Sequence, residues 1–222
     1  MKDTKIFAAW TEGLIPSEII ILAYLQAFQE ENGDKGCAWY GSKEDLHEKI
    51  DKTVSYTTMC VALNKGNRLG YLDVVNDKDF VLISVKNLPN KEYYFIPDLI
   101  LKSKKLSPLQ KLYYAFVYST PFAECKKESM ATKLNVTKNK RKYVELDFLV
   151  ERGFLSKFGD HYKINYVKEE DFKGLKEWHK QYKTRAYKPW YIRVKNFLKK
   201  LFAKKNKTKK KGTRKSVKVS SM

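Results

Sequence analysis

Two stretches of this chain leave a helical pattern in the same way. Arg68-Leu69-Gly70-Tyr71-Leu72 follows TVSYTTMCVALNKGN, and Glu151-Arg152-Gly153-Phe154-Leu155 follows TKNKRKYVELDFLV. In both, a glycine stands where a helix needs a left-handed residue to stop, and an apolar run resumes at once. The order of elements around these stops recurs too. Pro16-Ser17 leads into IIILAYLQAFQEE, apolar at helical spacing and broken by NGDKG, and a short SKEDLHEKI follows. Ser107 and Pro108 lead into SPLQKLYYAFVYS, and a short KKESMATKLNV follows. Each short segment carries an apolar pair four apart, Leu46 with Ile50 and Met130 with Leu134, so one face of each is buried. After the glycines, YLDVV and FVLISV are joined by NDKD, and FLSKF and HYKINYV by Gly159-Asp160; both pairs read as hairpins. Sequence identity between the copies is weak. The repeat lies in the order of elements.

The local signals agree with this parse. Ser42 and Asp45 form a capping-box pattern. Ser107 before Pro108 places a cap and an N1 proline. Thr137 is placed to cap the helix that Gly153 ends. Helix, short helix, longer helix and hairpin, in that order, is the winged helix-turn-helix plan, with the hairpin as wing. The expected fold class is therefore α+β, with tandem winged helix-turn-helix modules followed by a basic helical or disordered tail. The expected boundaries are 1–88 for the first module and 89–170 for the second. Residues 171–205 form a basic, aromatic-rich helical segment, and 206–222 a disordered basic tail. Between the modules, EYYFIP is expected as a strand belonging to the second.

One stretch carries a resemblance. YYFIPDLILKSKKLSPLQKLYYAFV has a strand-like run ending in Ile96-Pro97, a short connection, Leu106-Ser107, and a helix rich in Leu and Tyr. It resembles the start of the winged-helix domain in theta-type plasmid replication initiators and phage replisome organisers of Gram-positive systems. Residues 93–118 match, and 126–167 supply the turn motif and wing, about a third of the chain. The resemblance implies a protein that binds double-stranded DNA at an origin.

Charge points the same way. The net charge is +20, from 45 Lys and Arg against 25 Asp and Glu. From Lys173 onward there are 19 cations and one acid, Glu177, so the preceding modules are close to neutral. A polycationic tail on neutral modules suggests a polyanion, either nucleic acid or an acidic membrane surface; a solvated tail that only aids solubility is the bland reading. Within the tail, Tyr191, Val194, Leu198 and Leu201 fall on one helical stripe. Residues 189–205 then have three open roles: docking on the second module or a dimer mate, binding a replication protein, or lying on an anionic membrane. Arg193, Lys195, Lys199, Lys200, Lys204, Lys205, Lys209, Lys210 and Lys211 are the tail's candidate contacts to nucleic acid or lipid.

The helix opening at Thr137 has a divided composition. Lys138, Asn139, Lys140, Arg141 and Lys142 precede Val144, Leu146, Phe148, Leu149 and Val150. Cations at a helix N-terminus oppose the macrodipole by roughly 0.3–1 kcal/mol each, so acids would serve better there unless an anion is bound. A winged helix reads DNA with that tip: lysines meet phosphate, and Arg141 or Asn139 can meet a base edge. A lysine-rich solvated face is the alternative. The first module's counterpart opens Ser55-Tyr56-Thr57-Thr58, polar and uncharged, with Lys65 and Arg68 near its rear and an acidic wing tip, Asp77 and Asp79. It suits either a second reader or a dimerisation unit. Its apolar first helix either fills a core or covers a partner.

Enzyme chemistry is hard to assemble. No G-x-x-x-x-G-K-[ST] phosphate loop occurs. His47, His161 and His179 are scattered, without H-x-H or H-E-x-x-H, and Cys37, Cys60 and Cys125 form no C-x-x-C. No enzyme, cofactor or metal is expected, and the cysteines read as reduced core thiols. No run approaches the ~18 apolar residues of a membrane helix. MKDTKIFAAW lacks the apolar stretch of a signal peptide, so a cytoplasmic setting is expected. A role in transcription regulation of a mobile element, or as a membrane-tethered adaptor, stays open beside replication.

Overall fold

A computed structural model describes residues 3–33, 36–88, 92–137 and 142–172. The fold is mixed α+β, and residues Met1–Lys173 cluster as one compact unit. At the front lies β1, Asp3–Phe7, then a 3-10 turn, Ala8–Glu12, and α1, Pro16–Asn32. Next come β2 (Trp39–Gly41), α2 (Lys43–Lys49), α3 (Tyr56–Arg68), β3 (Leu72–Asp77) and β4 (Phe80–Val85). The second half holds β5 (Tyr93–Pro97), α4 (Asp98–Leu101), α5 (Pro108–Ser119), α6 (Lys127–Lys133), α7 (Lys142–Glu151), β6 (Leu155–Phe158) and β7 (His161–Ile164).

The caps form as their residue types require. Ser42 Oγ accepts from Asp45 N at 3.0 Å, although the Asp45 carboxylate turns to the Ser42 hydroxyl. At α5 the box closes fully: Ser107 Oγ accepts from Gln110 N, and Gln110 Oε1 accepts from Ser107 N at 2.8 Å. Ile15 has no side-chain oxygen to cap α1, so Glu18 Oε2 accepts from Ile15 N at 2.8 Å instead.

The repeat extends to individual backbone bonds. Tyr71 N donates to Gly66 O and Phe154 N to Leu149 O, each at 2.8 Å. Gly70 N to Asn67 O matches Gly153 N to Val150 O, both at 3.0 Å. Lys86 N closes on Tyr71 O as Asn165 N closes on Phe154 O. Both glycines have positive φ, +74° and +73°, which a β-carbon would strain. After the short helices, Lys52 N to His47 O corresponds to Val136 N to Ala131 O. The same turn, helix stop and hairpin base are therefore built twice. Gly66 has a separate reason: a β-carbon there would lie 2.9 Å from Leu72 Cδ1, so the hairpin base packs directly on α3.

Two strands escape the sequence parse. β2 joins the first hairpin to make a three-stranded antiparallel sheet, ordered β2-β4-β3. In the second repeat its place is taken by a single bridge, Lys126 with His161. β1 pairs antiparallel with β5, Asp3 opposite Pro97 and Phe7 opposite Tyr93. The EYYFIP strand thus lies on α5, with Phe95 N donating to Ser119 Oγ at 2.6 Å, but its strand partner comes from the front of the chain. The pairing crosses the boundary at 88/89.

Helix α1 fills a core. Ile19 through Leu25 are all buried, a burial on every side that fits its uniformly apolar sequence. It packs against α3 and β4 of its own repeat and against β1 and α5. Of the three cysteines only Cys125 is buried; Cys37 and Cys60 are half-buried, so two of the expected core thiols sit at the edge of the core.

Candidate nucleic-acid interface

In the second repeat, α6 and α7 meet at a tight turn. Asn135 takes φ +49°, a left-handed conformation that asparagine tolerates, and Val136 is buried beneath it. The 3-10 turn after β1 pins this corner. Thr11 Oγ1 donates to Lys133 O at 3.1 Å, and Asn135 Nδ2 donates to Thr11 O at 2.9 Å. The same turn is held from the first repeat, where Tyr71 OH donates to Ala9 O at 2.8 Å.

Helix α7 is anchored by its rear, as its composition demands. Leu146, Phe148 and Leu149 are buried, each worth about 1.5–3 kcal/mol against exposure. Glu145 is buried as well, and Gln110 Nε2 donates to its Oε2 at 2.6 Å with Ser107 Oγ at 3.1 Å. The N-terminus of α5 thereby grips the carboxylate on α7, where the α5 dipole favours negative charge. Ahead of this grip, Lys127 Nζ lies 4.0 Å from the Tyr143 ring centroid, a cation–π contact between α6 and α7.

Thr137 is exposed at the end of the turn. Lys138, Asn139, Lys140 and Arg141 lie outside the described residues, and Lys142 is the first residue of α7. The tail candidates from Arg193 to Lys211 also lie outside them. Sequence reasoning passed over two cations that the hairpin displays: Lys157 on β6 and Lys163 on β7 are exposed, separated by the Gly159-Asp160 turn. Their signal was there, since each lies within three residues of the Gly159-Asp160 turn that joins the two strands.

The corresponding surface of the first repeat differs chemically. Ser55 and Thr57 are exposed, but Ser55, Tyr56 and Thr58 are engaged in hydrogen bonds within the repeat. Ser55 Oγ caps α3 by accepting from Thr58 N at 3.1 Å and shares a 2.7 Å hydrogen bond with Thr58 Oγ1. Tyr56 OH donates to Glu44 Oε1 at 2.7 Å. That bond pushes the Tyr56 phenol far above its usual range and draws the Glu44 carboxyl below the usual carboxylate range. The Tyr56 ring meets His47 edge-on at 5.7 Å, and His47 Nε2 bonds the Val54 carbonyl. Lys65 forms an ion pair with the buried Glu18 at 2.9 Å. The hairpin from Leu72 to Val85 carries three aspartates against one lysine, while the hairpin from Leu155 to Ile164 carries two lysines against one aspartate.

Among the described residues, no group of three His, Cys, Asp or Glu could hold a metal ion, and no helix is long and apolar enough to cross a membrane. Comparison of the chain with protein-family models, with curated proteins and with solved structures finds no match in any of the three.

Proposed function

We propose that the chain is a duplex DNA-binding protein of the winged helix-turn-helix kind, acting in replication initiation of a plasmid or phage. The observation that carries this reading is a sign difference between two copies of one plan. In the first repeat the short helix carries three acids against two lysines, and the hairpin three aspartates against one lysine. In the second the short helix carries two lysines against one glutamate, with Lys126 just ahead of it, and the hairpin two lysines against one aspartate. These cations accompany Lys138, Lys140, Arg141 and Lys142, which the sequence concentrates just ahead of the α7 core. Phosphate contacts position such a protein, and base contacts at the helix front give it a site.

The roles divide accordingly. The second repeat is the reader, with Arg141 or Asn139 meeting a base edge and the lysines meeting phosphate. The first repeat is not the groove reader, because Ser55, Tyr56 and Thr58 are spent on internal bonds and the three aspartates of its hairpin would repel phosphate. Its role is contact with protein. The cationic tail adds affinity without sequence preference by releasing counterions from DNA. The replication role rests on the resemblance of residues 93–167; transcription regulation uses the same interface and differs only in the DNA bound.

The decisive experiment is a binding titration on DNA lying upstream of its own coding sequence, against random duplex of equal length. Preferential binding with a steep salt dependence is expected. Equal competition by random duplex would overturn site recognition, and affinity indifferent to salt would overturn DNA binding through cations.

A further inference from the structure

The three-stranded sheet of the first repeat has an uncovered apolar face. Tyr40 is opposite Leu82, and Leu82 is opposite Val75, so these three side chains form one row across all three strands. The row points away from the core: Tyr40 is 65% exposed, Val75 57% and Leu82 39%. Phe80, 49% exposed, stacks on Tyr40 with ring centroids 5.8 Å apart. The opposite face buries Leu72, Val81, Ile83 and Val85. Four large apolar side chains clustered on the solvent side of a sheet are unusual for a single copy of a chain, and such a patch marks an interaction surface.

Charge decides what fits there. Asp73 and Asp77 lie on the same face as Val75, two residues to either side of it, and Asp79 sits with Lys78 in the adjoining turn. Lys86 already pairs with Asp73 at 2.8 Å, so Asp77 and Asp79 are the carboxylates left to a partner. Two copies meeting face to face or edge to edge through β3 would bring these acids together. Edge pairing is also hindered because Asn67 Oδ1 accepts from Val74 N at 3.2 Å, which occupies an outward donor of β3. DNA and anionic lipid are repelled by the same aspartates. An apolar row rimmed by carboxylates complements a segment with an apolar stripe and flanking lysines or arginines.

We infer that the outer face of the β2-β4-β3 sheet docks a cationic amphipathic segment of a partner protein. The apolar stripe of that segment covers Tyr40, Leu82, Val75 and Phe80, and its cations meet Asp77 and Asp79. This does not depend on DNA binding, and it uses surface that the reader does not.

The test uses the full chain and two short fluorescent peptides with the same leucine stripe at helical spacing, one with lysine and one with glutamate elsewhere. Anisotropy is measured near physiological salt, without DNA. The net charge of +20 opposes a cationic probe, so retention of the lysine peptide reports the local carboxylates. The lysine peptide is expected to bind at least about tenfold more tightly than the glutamate peptide. Joint Tyr40→Ser and Phe80→Ser should remove that binding, and joint Asp77→Lys and Asp79→Lys should invert the preference. Asp77 and Asp79 are exposed, so their variant should keep the wild-type melting temperature. Tyr40 and Phe80 stack on each other, so their variant should melt only slightly lower, and circular dichroism checks that both stay folded. Equal or absent peptide binding, or binding that ignores these variants, would overturn the inference. So would self-association in sedimentation equilibrium, or capture by anionic vesicles, that Tyr40→Ser and Phe80→Ser abolish.

Discussion

Gln110 holds Glu145. The amide Nε2 of a fully buried glutamine donates at 2.6 Å to the carboxylate of an almost fully buried glutamate, 35 residues further along the chain. The same glutamine completes the α5 capping box, so one side chain both ends the first turn of α5 and seats α7. Gln110→Ala removes a hydrogen bond to a charged group and leaves Glu145 with less compensation in the interior. Urea unfolding should show a loss of about 1.5–3 kcal/mol. Glu145→Gln, which keeps an acceptor for Ser107 and carries no buried charge, should cost less. A Gln110→Ala variant as stable as wild type would mean that the Gln110 bond does not help to seat α7.

Stability and DNA affinity should separate cleanly in the first repeat. Ser55→Ala removes the α3 cap and should cost about 1 kcal/mol of stability. Tyr56→Phe loses only the bond to Glu44, on the surface, and should be nearly neutral. Neither should change affinity for duplex DNA by more than about twofold, measured by anisotropy. A larger loss from Tyr56→Phe would make the first repeat a second reader after all.

What could be read in the sequence was local. The prolines at 16 and 108, the serines at 42, 55 and 107, and the glycines at 70 and 153 each dictate a backbone state within a few residues, and the helices and hairpins follow from them. The repeat was visible because both copies use the same stop. Long-range pairing was not visible. Asp3–Phe7 is too short to show alternation, and nothing within it names Tyr93–Pro97 as its partner. Trp39–Gly41 gains its strand state only from β4. Among site residues, the apolar rear of α7 was legible from Leu146, Phe148 and Leu149, but Glu145 looked like any exposed helix acid. Its role depends on Gln110 arriving from another helix.

Lys111 gives the chain a characteristic response to pH. Its side chain is fully buried on α5, with Nζ donating to Leu101 O at 2.6 Å and lying 5.7 Å from the Tyr24 ring centroid. Burial pushes its pKa down to about 7. In the unfolded chain a lysine titrates near 10.4, so between about pH 7 and 10 the unfolded state binds more protons and folding stability rises with pH. Below about 7 the amine is charged in both states, and the full cost of burying it is present. Lys111→Met should raise stability below pH 7 and flatten the slope, which can reach about 1.4 kcal/mol per pH unit in wild type. Leu101 O would keep a donor, since Tyr24 OH reaches it at 2.8 Å. Paired denaturant titrations of wild type and variant from pH 6 to 9.5 test this; parallel curves would show that the ammonium is hydrated or paired when folded.

The second hairpin should behave as a phosphate contact and α7's front as more than that. Lys157 and Lys163 are exposed on paired strands, and neither supports the core, so joint Lys157→Ala and Lys163→Ala should leave the melting temperature unchanged. Each phosphate contact contributes about 0.9 to the slope of log affinity against log salt, so the double variant should flatten that slope by roughly 2. The loss should be equal on specific and random duplex. Joint Arg141→Ala and Lys142→Ala should weaken binding to the preferred site at least about tenfold, near 1.4 kcal/mol, and should lower the ratio of specific to random affinity as well. The two pairs therefore differ in kind, since one changes salt dependence alone and the other also changes discrimination. If both left discrimination and slope untouched, the second repeat would not be the part of the chain that meets DNA.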